Sequence, residues 1–241
     1  MTVLRQLTEG GGLAVLIDPP RTSPARAGEL ARRAAGEGAQ LLLLGNSFGG
    51  AEEMPEVART IKAAAPDLPL LLFPGSAGQL VADVDAILLL SLVSGRNPQY
   101  LIEEHVRAVP FFMRHPTVES ISTAYLLVDG GHVTSVEAVS QTRPLPSDKP
   151  ELVSAHVQAA MRIGMRAVYV DAGSGAGRPV PPALIAAARG ATAGPLFIGG
   201  GVRDPDAVRA ARQAGADFVV VGTVLEDEGS RAVRALAHAA R

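Results

Sequence analysis

Apolar and polar positions fall along this chain in alternating blocks rather than singly. Eight short runs are almost wholly apolar: Leu13–Ile17, Gln40–Leu44, Leu70–Phe73, Ala86–Leu90, Ala124–Val128, Ala167–Val170, Leu196–Ile198 and Phe218–Val221. Continuous runs of this length predict parallel strands covered on both faces, because a half-exposed strand would alternate apolar with polar residues. Alanine-rich stretches lie between them. Ser23-Pro24, Asn97-Pro98 and Asp204-Pro205 each set a capping side chain before a proline at the first helical position. The pattern predicts helices over Pro24–Glu37, Glu52–Ala65, Pro98–Arg107, Pro150–Ile163, Pro181–Arg189, Pro205–Ala214 and Gly229–Ala240.

Strands joined by helical crossovers in this number predict an α/β fold of the (β/α)8 TIM-barrel type, with an open doubly wound sheet as the alternative. The connection from Pro74 to Asp85 is short for a full crossover, so an irregular link is expected in place of the third helix. Val133 to Lys149 is a longer polar insertion, expected to form a small hairpin. Nothing in composition marks a linker, so residues 1–241 are expected to form one barrel domain.

Composition narrows the chemistry. Net charge is −2 over 241 residues, which leaves no electrostatic footprint for nucleic acid or an acidic membrane surface. There is no cysteine, so disulfides, thiolate metal sites and cysteine nucleophiles are excluded. No basic segment followed by an apolar one opens the chain, and no apolar run is long enough to span a bilayer. A cytoplasmic protein without a transmembrane segment is the expectation. Of 22 basic residues only Lys62 and Lys149 are lysine, one inside a predicted helix and one in a proline-rich loop. Neither ends a strand, which argues against Schiff-base chemistry.

In a barrel the C-terminal ends of the strands face the active site. Those ends carry Asp18, Gly45-Asn46-Ser47, Phe73-Pro74-Gly75, Ser91 with Arg96 and Asn97, Asp129-Gly130-Gly131, Asp171, Gly199–Gly201 and Gly222-Thr223. This strand-end set is nearly free of histidine, with only His132 near that face, so a zinc site is not expected. One carboxylate, a hydroxyl, water and substrate phosphate suit Mg²⁺ instead. The segment Ala167-Val-Tyr-Val-Asp171-Ala-Gly173-Ser174-Gly175 runs a strand into a glycine-rich turn, and strands seven and eight end the same way. Such turns let backbone N–H groups converge on a phosphate, although each also serves as an ordinary tight turn. The helix opened by Asp204-Pro205 could add its dipole. Asp18 suits a functional carboxylate or a turn residue. Arg96 suits an anion at the barrel mouth or a solvated loop, and Asn97 suits a helix cap.

Taken together and in order, these pieces resemble the geranylgeranylglyceryl phosphate synthase family, the (β/α)8 prenyltransferases of archaeal-type ether lipids. The resemblance rests on Leu16-Ile-Asp18-Pro19, Leu44-Gly-Asn-Ser47, Leu72-Phe73-Pro74-Gly75, Ser94-Gly-Arg96-Asn97-Pro98, Tyr169-Val-Asp171-Ala-Gly-Ser-Gly175, Gly199-Gly-Gly201-Val-Arg203 and Val221-Gly222-Thr223. It implies that Asp18 and Ser47 hold Mg²⁺ against a polyprenyl diphosphate; Arg96 is then the candidate for binding the diphosphate. It implies further that Tyr169, Val170, Asp171, Ala172, Gly173, Ser174, Gly175, Gly200, Gly201, Gly222 and Thr223 bind sn-glycerol 1-phosphate. Asp171 would then accept the proton of the attacking hydroxyl, in a homo-oligomeric enzyme transferring a geranylgeranyl group.

The chain departs from the family pattern at four positions. Asp171 stands where the family usually has Glu, Thr223 where it has Asn, and Pro20-Arg21 where it has Asp-Lys. These leave open a different acceptor such as 3-phosphoglycerate, or a non-catalytic binder of a phosphorylated ligand; another phosphate-binding barrel enzyme is a separate alternative, which the shortage of lysine and cysteine argues against.

Overall fold

The computed structural model describes residues 2–222 and 230–241. Eight parallel strands close into a barrel in sequence order: β1 Gly12–Ile17, β2 Leu41–Leu44, β3 Leu70–Leu72, β4 Ala86–Leu92, β5 Glu119–Leu127, β6 Ala167–Asp171, β7 Leu196–Gly199 and β8 Phe218–Val221. Closure is made by β1 on β8, with Leu13 opposite Val219 and Val15 opposite Val221. The fold predicted from the apolar blocks is the fold observed.

Alternation along each strand sorts the apolar residues into two layers. Leu13, Val15, Leu42, Leu44, Val168, Val170 and Ile198 face the surrounding helices. Ala14, Leu41, Leu43, Leu71, Leu88, Phe197 and Phe218 fill the barrel interior. Both sets are almost fully buried, which explains why the strands are apolar at consecutive positions.

The helices around the barrel are α2 Pro24–Gly36, α3 Met54–Ala64, α4 Glu104–Arg114, α6 Pro150–Arg162, α7 Pro182–Ala191, α8 Pro205–Gln213 and α9 Ser230–Ala239, with α1 and α5 described below. Ser23 and Asp204 cap as expected, accepting from the backbone N–H groups of Arg26 and Ala207. The β3–β4 link holds only a 3-10 turn at Ala77–Gln79 in place of a helix. Lys62 is spent structurally, its Nζ 2.8 Å from Asp85.

Four features differ from the sequence expectation. A helix α1, Val3–Glu9, precedes the barrel and sends Leu7 into its interior from below, with Val3 and Leu4 packed alongside. Its first N–H groups donate to the carboxylate of Glu119, which starts β5. Strand β5 therefore begins five residues before Ala124, its polar half tied to other elements, as where Ser122 donates to the Gly164 carbonyl. The segment expected as a hairpin forms helix α5, Ser135–Ser140, capped by Thr134, plus one parallel bridge from Val128 to Leu145. Finally, the helix expected over Pro98–Arg107 opens with a π-helical stretch at Gln99–Glu103 and continues as α4 past Pro110 to Arg114.

Candidate active site

The strand ends enclose a cavity of about 560 Å³. On one wall stand Asp18, Arg21, Asn46 and Ser47; on another, Tyr169, Asp171, Ser174, Gly175, Gly200, Gly201 and Gly222. The carboxylate and glycine-rich turns predicted from sequence thus meet in one space.

Asp171 is the last residue of β6, paired in register with Leu127 and Gly199. Its side chain and that of Tyr169 point inward, two residues apart on the same face. Tyr125 Oη donates to Asp171 Oδ2 at 2.6 Å, and the Gly173 N–H donates to Oδ1 at 2.8 Å. Both oxygens are therefore fixed in place. Burial raises the Asp171 pKa above the ordinary carboxylate value, and the two hydrogen bonds pull it back only in part. Burial, followed by the neighbouring Asp171 charge, pushes the Tyr125 and Tyr169 hydroxyls well above their usual value. Both shifts favour the protonated phenols beside the Asp171 carboxylate.

Aromatic rings floor this wall. Tyr169 stacks on Phe73 with centroids 4.6 Å apart and lies parallel to Phe197 at 5.9 Å. Tyr125 meets Phe73 edge-on at 5.9 Å. Gly199 makes room for Tyr169, since a Cβ there would collide with the phenol.

The glycines at Gly173, Gly175, Gly200 and Gly201 adopt positive φ, between 69° and 91°. At Gly200 the constraint is double. A Cβ would stand 2.7 Å from both Asp171 Oδ1 and the Gly173 nitrogen. This packing lets the turns after β6 and β7 approach each other closely.

The other predicted residues divide. Asp18 and Ser47 reach the same cavity, and Asp18 Oδ2 lies 3.7 Å from Arg21 Nε. Val170 and Ala172 point outward into the layer between barrel and helices, and neither is among the residues lining the cavity. Gly173 serves Asp171 through its N–H. Arg96 is not among the residues lining the cavity: its guanidinium donates to the Gly95 carbonyl at 2.7 Å and lies 3.5 Å from His156. Asn97 caps the Gln99 N–H and donates to Ser140, as a structural residue would. Thr223 lies outside the described residues.

Sequence reasoning did not single out Tyr125 or Arg203 as site residues, yet both line the cavity. Tyr125 becomes legible only once β5 is in register with β6, which sets it opposite Tyr169. A second, apolar pocket of about 70 Å³ adjoins the cavity between β4, the β3–β4 link, α4 and α5. It is lined by Leu80, Leu89, Leu92, Ala108 and Val139 and shares Tyr125, Leu90 and Ser47 with the main cavity. His105 reaches this pocket from α4, so His132 is not alone near the site; its Nε2 lies 2.8 Å from the Leu90 carbonyl oxygen.

Residues 6–240 match the model of the PcrB family. The chain belongs to the PcrB family. The chain is similar to the geranylgeranylglyceryl phosphate synthase of Chitinophaga pinensis, 39% identical over 90% of this chain and 85% of that one. The synthase of the same name from Thermofilum pendens is 37% identical over 93% and 87%. The solved structure of (S)-3-O-geranylgeranylglyceryl phosphate synthase from Thermoplasma acidophilum, in complex with sn-glycerol 1-phosphate, superposes with a TM-score of 0.92. It is 30% identical, over 99% of this chain and 98% of that chain. This PcrB-family protein is a prenyltransferase enzyme. No helix among its described residues is long and apolar enough to cross a membrane.

Proposed function

We propose that the enzyme joins sn-glycerol 1-phosphate to geranylgeranyl diphosphate through an ether bond. The observation that carries the reading is one cavity holding a fixed carboxylate, glycine turns on the same wall, and an apolar pocket opening beside both. An acceptor anchored by its phosphate on the N–H groups around Gly175, Gly200, Gly201 and Gly222 presents its glycerol hydroxyls to Asp171. The prenyl tail enters between Leu80, Leu92 and Ala108, which leaves its allylic C1 near Tyr125.

The acceptor's C3 oxygen forms a bond to C1 of the prenyl group as the C1–O bond to diphosphate breaks. Diphosphate leaves with that electron pair, and the hydroxyl proton passes to Asp171. Arg21 and Arg203 on the cavity wall bring positive charge to the negative charge that builds up there.

The donor set fits Mg²⁺. Asp18 and Ser47 supply oxygen only, and no cluster of three or more His, Asp or Glu among the described residues makes a closed site for a softer metal. Asp18 and Ser47 would hold the cation, leaving its other positions to water and diphosphate oxygens; its chemistry there is neutralisation of the leaving group.

Incubation of the enzyme with Mg²⁺, both glycerol 1-phosphate enantiomers, 3-phosphoglycerate and prenyl diphosphates of graded length tests the reading by product mass. The expected product is the C20 ether of the sn-1 phosphate. A product from 3-phosphoglycerate alone would change the acceptor, and no ether from any pair would refute the proposal.

A further inference from the structure

The β3–β4 link, which replaces a full helix, buries one polar side chain whose role nothing above explains. Gln79 is 3% exposed. Its Oε1 accepts from the Gly75 N–H at 2.6 Å, and its Nε2 donates to Asn46 Oδ1 and to the Gly49 carbonyl, each at 2.6 Å. Both amide donors and the acceptor are thereby used. The orientation is set by its partners, since Asn46 Nδ2 in turn donates to the Phe48 carbonyl.

These bonds join the turns after β2 and β3 around Ser47. The two turns also touch through backbone: a Cβ on Gly75 would stand 2.7 Å from the Asn46 carbonyl oxygen and 3.1 Å from that of Ser47. On its far side the β2 turn leans on the loop that follows Asp18, where a Cβ on Gly50 would meet Pro20 at 2.8 Å. The link carrying Gln79 is itself tethered to α4, because the Ala77 N–H donates to Glu104 at 2.7 Å. A buried amide that is fully satisfied holds its partners in one arrangement, whereas the β2 turn has Gly49 and Gly50 at positive φ and little regular structure of its own.

We propose that Gln79 is a positioning residue for the prenyl-diphosphate side of the site: it holds the turn 45–50 so that Ser47 faces the cavity. The assignment rests on the reading of Ser47 given under the proposed function. Gln79 touches no substrate; it acts through Asn46 and Gly49. The glycine wall that takes the acceptor phosphate shares no hydrogen bond with it, so the effect is one-sided.

Gln79→Glu separates the contributions. It keeps the acceptor for Gly75 but confronts Asn46 Oδ1 and the Gly49 carbonyl with a group that has no donor. Asn46→Ala, made from the turn itself, removes one acceptor and leaves the link intact. Both variants should raise amide exchange across 45–50 by about tenfold, as expected when a buried hydrogen bond is lost. The KM for prenyl diphosphate should rise by about tenfold while the KM for sn-glycerol 1-phosphate stays within about twofold.

Unchanged exchange across 45–50 in folded Gln79→Glu overturns the clamp, and so does an equal rise in both KM values. The exchange measurement needs no turnover. A wild type that makes no ether would refute the proposed function, while faster exchange confined to 45–50 would still support the clamp.

Discussion

Tyr125 Oη stands 2.6 Å from Asp171 Oδ2, across the β5–β6 pair and at the floor of the cavity. The contact joins a phenol held protonated by burial to a carboxylate whose burial makes it a stronger base than a surface aspartate. Because the bond lowers the Asp171 pKa, Tyr125→Phe should raise it further. The acid limb of the kcat/KM profile should then move to higher pH, and kcat should fall roughly ten- to hundredfold, the worth of a hydrogen bond to a charged group. A pH–rate profile checks this. An unmoved acid limb would show that Asp171 is not the group titrating.

Asp171→Asn should separate activity from stability. The raised pKa means that the folded state holds the Asp171 proton more tightly than the unfolded chain does. Its contribution is therefore most favourable below the unfolded pKa and declines as pH rises through the folded one. Above that window the native protein buries a charge at a cost. The amide keeps an acceptor for the Gly173 N–H and removes the charge, so Tm at pH 8 should rise while turnover drops by about 10² to 10⁴. Thermal melts at pH 5 and pH 8 should show the gain larger at the higher pH.

Two glycine substitutions distinguish backbone strain from collision. Gly164 has φ +96° with open space where a Cβ would go, so Gly164→Ala should cost about 1 kcal/mol and leave catalysis alone. Gly200→Ala adds collision with Asp171 and the Gly173 nitrogen to a similar strain. Its cost should reach about 3 kcal/mol or more, with acceptor binding lost. Denaturant unfolding and acceptor titration measure the two effects.

Ala108 lines the apolar pocket from α4 and is almost fully buried. Ala108→Phe should shorten the space open to the prenyl tail. Steady-state kinetics with C10 and C20 diphosphates should show the longer substrate losing about tenfold or more in kcat/KM relative to the shorter, the scale of a few misplaced methylenes.

Much of this architecture is visible in the chain itself. Consecutive apolar residues such as Leu41 to Leu44 serve two cores at once, odd positions facing into the barrel and even positions facing its helices, and that dual burial is what makes the strands conspicuous. Asp171 and the glycines after β6 and β7 were readable because strand ends in this topology converge. Tyr125 and Gln79 were not, since each takes its role from strand register or from the path of an irregular link. Arg96 shows the converse: a cation beside the right strand whose backbone turns it toward its own loop carbonyl. The helix at Ser135–Ser140 was masked by the polar residues around it, and α1 by its short apolar stripe.

The structure of the enzyme crystallised with sn-glycerol 1-phosphate tests the central claim most directly. The account predicts the phosphate against the turns at Gly175, Gly200, Gly201 and Gly222, with a glycerol hydroxyl within hydrogen-bonding reach of Asp171. A phosphate seated instead between Asp18 and Ser47, with Asp171 touching only Tyr125 and Gly173, would contradict it.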